Sequence, residues 1–342
     1  MKNAVIQKLA LVSVALTLVV VVLGAYVRLS DAGLGCPDWP GCYGQIGVPS
    51  AEHEVAAANS AYPERPVEAH KAWKEMIHRY AASTLGLLIV VMAGVAWFKR
   101  KAGVSPWLPT MLVALVIFQG LLGMWTVTLL VQPVIVTAHL LGGMTTLALL
   151  WWLFLEHSDF QWQRQASSLS LVRGVAFFAL LVLVLQIALG GWTSTHYAAL
   201  ACYGFPTCNG EWWPQSADFA DAYSLWHELA PGQRDFEGGI LHQGGRVAIH
   251  LSHRIGAVLA TLGVAWLAVS VYRRASAAAS TGLKGLAVLT LLALLVQLSL
   301  GIGNVFMQLP LWMATAHNGG AAVLLLGVVT LVYASTLRGE RS

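Results

Sequence analysis

The chain has 342 residues, of which 57% are hydrophobic and 11% charged, against roughly 25% charged in ordinary soluble domains. That balance excludes a water-soluble globular fold and makes membrane lipid the natural surround. The net charge of +4 is distributed over the connections between apolar runs, so it carries no signature of nucleic-acid binding.

Apolar runs fall at about 8–28, 75–98, 106–130, 133–156, 171–194, 245–272, 283–306 and 310–336, and each has the roughly 20 residues that a spanning helix needs. The first, preceded by Lys2 and Lys8, is longer than the core of about 7–15 residues in a cleaved signal peptide. It is read as a retained first span. Lys99, Arg100, Lys101, Arg164, Arg173, Arg273, Arg274, Lys284, Arg338 and Arg341 fall with Lys2 and Lys8 in alternate connections. The positive-inside rule places these connections, and both termini, in the cytoplasm. The outer side then holds two long loops, about 29–74 and 195–244, and two short turns at Gln132-Pro133 and Leu309-Pro310.

The chain also repeats itself, and internal repeats define architecture. Cys36 and Cys42 in CPDWPGC are matched in the second half by Cys202 and Cys208 in CYGFPTC, with the same spacing. His78-Arg79 returns as His253-Arg254, and Thr137-Ala138-His139 as Thr315-Ala316-His317, with Gln119 and Gly123 matched by Gln297 and Gly301. The expected fold is an all-α integral membrane protein of eight transmembrane helices, built as two tandem four-helix bundles. The bundles would be 1–156 and 171–342, joined by a cytoplasmic linker at 157–170. Because four is even, they share one orientation, unlike inverted repeats.

His78 and His139 fall one and two turns into spans that both start on the outer face, so their rings sit at similar depth. His253 and His317 repeat this arrangement. An ionisable residue within a span points to function, and imidazole is a common axial ligand of haem iron. Two facing helices can supply one ligand to each side of a macrocycle, with Gly142, Gly143, Gly320, Ala82 and Ala257 keeping the ligand faces small. Arg28, Arg79 and Arg254 lie near the outer boundary, as candidates for haem propionates or as snorkelling anchors. Interhelical packing by the histidines is the bland reading, and four depth-matched positions argue against it. His53, His70, His196, His227, His242 and His157 read as solvated.

The halves differ three residues before the first ligand of each pair, where Glu75 stands against His250. Position i−3 shares the ligand's face, and a carboxylate there can accept a proton or stabilise charge. Its bland reading is a favourable charge at a helix N-terminus. The mismatch places chemistry in the first half and a resident haem in the second. The short spacing of each Cys pair, in an oxidising outer compartment, predicts the disulfides Cys36–Cys42 and Cys202–Cys208. A structural role is expected first, and thiol exchange beside the first half second.

The run Tyr26-Val27-Arg28-Leu29-Ser30 through Gly33-Leu34-Gly35-Cys36-Pro37-Asp38-Trp39-Pro40 stands with Glu75-Met76-Ile77-His78-Arg79, Thr137-Ala138-His139 and Thr315-Ala316-His317-Asn318. Together these resemble the haem A synthase family over essentially all eight spans. The resemblance implies oxidation of a methyl group of haem O to the formyl of haem A, for terminal oxidases. It implies that His78 and His139 flank the substrate with Glu75 assisting, and that His253 and His317 hold haem b. It further implies haem O synthase as the partner that supplies substrate, and an external electron acceptor that the sequence does not name. The lack of an Arg- and Ser-rich presequence favours a bacterial plasma membrane. Two other readings use the same histidines: a two-haem cytochrome passing electrons from quinol without modifying haem, and a non-redox transporter or scaffold.

Overall fold

The computed structural model describes residues 2–337. Arg338, Arg341 and the side chain of Arg164 lie outside the described set. Among the described residues, eight helices are long and apolar enough to cross a membrane: α1 Ala4–Leu29, α2 Ala69–Phe98, α3 Trp107–Thr128, α4 Pro133–His157, α5 Arg173–Thr195, α6 Gln243–Ala277, α7 Thr281–Phe306 and α8 Leu311–Thr336. The protein is thus an all-helical multi-pass membrane protein.

Helix ends follow local chemistry. Asn3 caps α1 by accepting from the Val5 and Ile6 amides at 3.1 and 3.3 Å, which satisfies donors that have no partner within the helix. Ser280 does the same for α7, and Pro133 starts α4, where its missing N–H costs nothing. Helices α2 and α6 outrun the apolar segments, starting at Ala69 and ending at Ala277. Their polar extra turns satisfy their own backbone whether or not lipid surrounds them.

The turn before α4 contains Leu130 and Val131 at φ 54° and 58°, and the turn before α8 contains Gln308 and Leu309 at φ 57° and 60°. Paired left-handed residues without glycine are sterically costly. The pairs occupy matching places in the two halves, so both tight turns are held by the same strained geometry.

Contacts between helices close two rings. In one, α1 packs on α2 and α4, and α3 on α2 and α4; in the other, α5 packs on α6 and α8, and α7 on α6 and α8. The rings meet where α1 touches α8, α4 touches α5, and α4 touches α8. In lipid, helix association depends on close packing rather than on the hydrophobic effect, and the seam reflects this. A Cβ added at Gly191 of α5 would stand 2.9 Å from Leu140 Cδ2 and 3.2 Å from Thr137 Cγ2 of α4. Helix α8, central to the seam, is the most buried of the eight.

Candidate haem-binding sites

Within each ring the two histidine-bearing helices stand diagonally, and each imidazole is seated on a glycine of the helix just before it in the chain. A Cβ at Gly24 of α1 would lie 3.0 Å from His78 Cε1, and one at Gly123 of α3 would lie 3.6 Å from His139 Cε1. In the second ring, a Cβ at Gly190 of α5 would lie 3.3 Å from His253 Cε1, and one at Gly301 of α7 would lie 2.9 Å from His317 Cε1.

The donor chemistry suits a flat metal-centred ligand. Nδ1 of His78, of His139 and of His317 is buried with no partner, and such orphaned polar atoms are costly unless a ligand satisfies them. Among the described residues no three or more His, Cys, Asp or Glu side chains gather as a metal site. The residues present therefore fit a haem in each ring.

Glutamines fill the space beside the seats. Gln119 lies against Gly142 and Gln297 against Gly320, each so close that a Cβ would collide. Gln297 Nε2 is 3.3 Å from His317 Nε2, whereas Gln119 Nε2 is buried without a partner.

Glu75 and Arg79 clamp the first long loop onto α2. Glu75 is 4% exposed; its Oε2 accepts from the Cys36 amide at 2.8 Å, and its Oε1 pairs with Arg79 Nη2. Arg79 also donates to the carbonyls of Asp38, Pro40 and Gly41. His250 and Arg254 repeat the clamp with different chemistry: His250 Nδ1 accepts from the Cys202 amide at 3.1 Å, and Arg254 donates to the Thr207 and Cys202 carbonyls, both at 2.8 Å. The Glu75/His250 difference thus falls at a contact shared by both halves. The disulfides Cys36–Cys42 and Cys202–Cys208 are formed, with Cα separations of 4.8 and 4.6 Å, and all four cysteines are buried.

Arg28 reaches across the seam. It donates to Tyr197 Oη at 2.8 Å and to the Ser194 carbonyl at 2.9 Å, while its Nε is buried without a partner. Tyr197 in turn donates to Asp31 at 2.6 Å. All three arginines at the rim therefore hold protein groups in place.

The second long loop lies over the first ring. Phe236 is buried with Leu34 and Val131, its amide donates to the Leu130 carbonyl at 3.2 Å, and Gln132 donates to the His227 carbonyl at 2.8 Å. Arg65 pairs with Asp235 at 2.9 Å. A mixed-charge cavity of about 490 Å³ lies beneath, bordered by Asp31, Tyr43, Lys71 and Glu237. Burial, reinforced by Asp235 and Asp31, pushes the Glu237 carboxyl up to about 6.

His53, His70 and His242 are exposed, as their loop positions suggest, while His157 and His227 are half-buried. His196 departs furthest from the solvated reading: it is fully buried, its ring lies 4.3 Å from the Trp192 ring at a 50° tilt, and it lies by the Trp192 carbonyl at 3.0 Å. It caps the end of α5 beneath the second loop, where its ring meets that of His227, and burial lowers it to about 4. The sequence reading also missed the seats Gly24 and Gly190. They are related by the same offset as Cys36 and Cys202, and that was the available signal.

The fold and these sites define a multi-pass membrane protein with two diagonal histidine pairs, one inside each four-helix ring. The chain belongs to the COX15-CtaA family of cytochrome oxidase assembly proteins, whose profile matches residues 7–329. It is 45% identical to the haem A synthase of Shewanella oneidensis over 324 residues, 94% of each chain. It is 28% identical to that of Mesorhizobium japonicum over 328 residues, 89% of this chain and 83% of the relative. With that of Shouchella clausii the identity is 29% over 232 residues, 66% of this chain and 71% of the relative.

Proposed function

We propose that this protein is a haem A synthase, oxidising the methyl group of haem O to the formyl group of haem A in a bacterial plasma membrane, with both termini cytoplasmic. The observation that carries the reading is the pair of glycine-seated histidine sites, in a chain 45% identical along nearly its whole length to a relative of that name.

In this reading the first ring holds the substrate between His78 and His139, and the second holds haem b between His253 and His317. Haem b, when bound, supplies one-electron redox chemistry. The protein's part is positioning and proton handling. Gly24 and Gly123 let the imidazoles of His78 and His139 sit close against α1 and α3, and the substrate lies between the two imidazoles. Glu75 accepts a proton released as the methyl group is oxidised, while Arg79 and the Cys36 amide keep its carboxylate beside the site. Arg28, Arg79 and Arg254 place positive charge at the loop-side rim, where the carboxylates of a bound porphyrin are met.

Methyl-to-formyl oxidation takes one oxygen atom from water and releases four protons and four electrons overall; one resident haem cannot store the electrons, so an external acceptor completes each turnover. Haem O synthase supplies a substrate too apolar to cross water freely. The test is extraction of haem from the purified protein after expression with a supply of haem O. A formyl-bearing haem is expected; unchanged haem b alone would overturn the reading in favour of a two-haem cytochrome.

A further inference from the structure

The two rings differ at one more place, on the helix that seats the first histidine of each pair. By the offset that relates Gly24 to Gly190, Gln186 on α5 corresponds to Val20 on α1. Its amide nitrogen lies 3.0 Å from His253 Nδ1 and 3.0 Å from the His253 carbonyl oxygen, so one side chain grips both the ring and the main chain of the same residue. Gly256, one turn beyond His253, makes the room: a Cβ there would collide with Gln186 Oε1. The corresponding first-ring residue is Ala81. Val20 has no side-chain donor or acceptor to offer the His78 ring.

We propose that Gln186 is a positioning residue for His253, and that its presence in one ring and absence from the other makes the second site retain its haem while the first exchanges its haem. The inference rests on the reading that the histidine pairs hold haem. When an imidazole gives one nitrogen to a metal, the other carries the proton, and its partner fixes the ring's orientation and basicity. A carboxamide suits both states of the ring. Its NH₂ meets an unprotonated Nδ1, and on turning over its oxygen meets Nδ1–H in exchange for the donation to the His253 carbonyl. Gln186 Oε1 is buried and without a partner, so that acceptor is available. A valine can do neither. A catalytic site that must release its product gains from the looser arrangement, and a cofactor site gains from the tighter one.

The test uses the intact protein in detergent, as wild type, Gln186→Val, Gln186→Glu and His253→Ala. Three quantities are read: the haem type by its pyridine complex, the rate of haem transfer to excess apomyoglobin, and the midpoint potential of the retained haem. Gln186→Val is expected to lose haem b roughly tenfold faster, within the range seen when an outer-shell partner of a metal ligand is removed. Gln186→Glu is expected to lower the potential, because a carboxylate draws the Nδ1 proton and enriches the ligand. Equal transfer rates and potentials in wild type and Gln186→Val would overturn the proposal. If Gln186→Val does not fold, the reciprocal change Val20→Gln with Ala81→Gly decides: it is expected to slow haem exchange from the first ring, and unchanged exchange would refute the idea. Failure of the underlying reading looks different, since His253→Ala would then keep haem b at the wild-type level.

Discussion

Gly301 is a residue whose lack of a side chain has a definite consequence. A Cβ there would sit 2.9 Å from His317 Cε1, closer than ordinary van der Waals contact, and the added methyls of valine would push the ring off its seat. Gly301→Val is expected to fold and to lose most of its second-ring haem, measured as haem b per protein, whereas Gly285→Val, with nothing within 4 Å, should keep it. Glu75 is the other residue whose role can be separated by substitution. Gln in its place still accepts from the Cys36 amide but carries no charge and takes no proton. Glu75→Gln is therefore expected to lower turnover by roughly 10²-fold or more, the usual contribution of a general base, with haem content unchanged. Unchanged turnover would confine Glu75 to holding the loop. The sequence disclosed both the histidine repeat and the Glu75/His250 mismatch, because side-chain identity at a fixed offset needs no coordinates. It did not disclose that both positions touch a disulfide loop, since that contact joins residues 39 and 48 positions apart.

At the scale of elements, each disulfide loop is a small ring of chain fixed to its helix by one arginine and one acceptor. Removing the Cys36–Cys42 bond by a double serine substitution is expected to cost about 2 kcal/mol in the chain-entropy model, seen as a lower melting temperature in detergent. Arg79→Ala is expected to loosen the same loop with the bond intact, read as faster amide exchange at residues 36–45. The spans themselves were legible from hydropathy, since length and apolarity are the properties a bilayer selects. The polar first turns of α2 and the last turn of α6 were not, because hydropathy registers contact with lipid and is silent on helix that continues into water. The strained turns at Leu130-Val131 and Gln308-Leu309 were also hidden: none of the four residues favours a left-handed conformation, so tertiary packing must impose it.

Across the whole molecule the two rings are joined twice, by the seam of α1 and α4 against α5 and α8 within the helices and by the second loop lying over the first ring. Glu237 reports on the second junction. Its carboxyl is raised from 4.5 to about 6, so the folded state binds more protons than the unfolded state between those values. Its favourable contribution is complete below about 4.5 and is lost as pH rises through about 6. Melting temperatures of wild type and Glu237→Gln are expected to coincide near pH 4.5 and to diverge above pH 6, with the wild type lower. A difference that does not change with pH would remove Glu237 from the junction. This loop-over-ring contact was beyond sequence reading, because it pairs segments such as Arg65 and Asp235, 170 residues apart, that carry no shared motif.

Central to this assignment is that two similar rings hold haem for different purposes, reaction in the first and retention in the second. Identification of the haem extracted from His78→Ala and His317→Ala, each expressed with a haem O supply, tests it most directly. His78→Ala is expected to keep haem b and yield no haem A, and His317→Ala to lose haem b. Formation of haem A by His78→Ala, or retention of a full complement of haem b by His317→Ala, would contradict it.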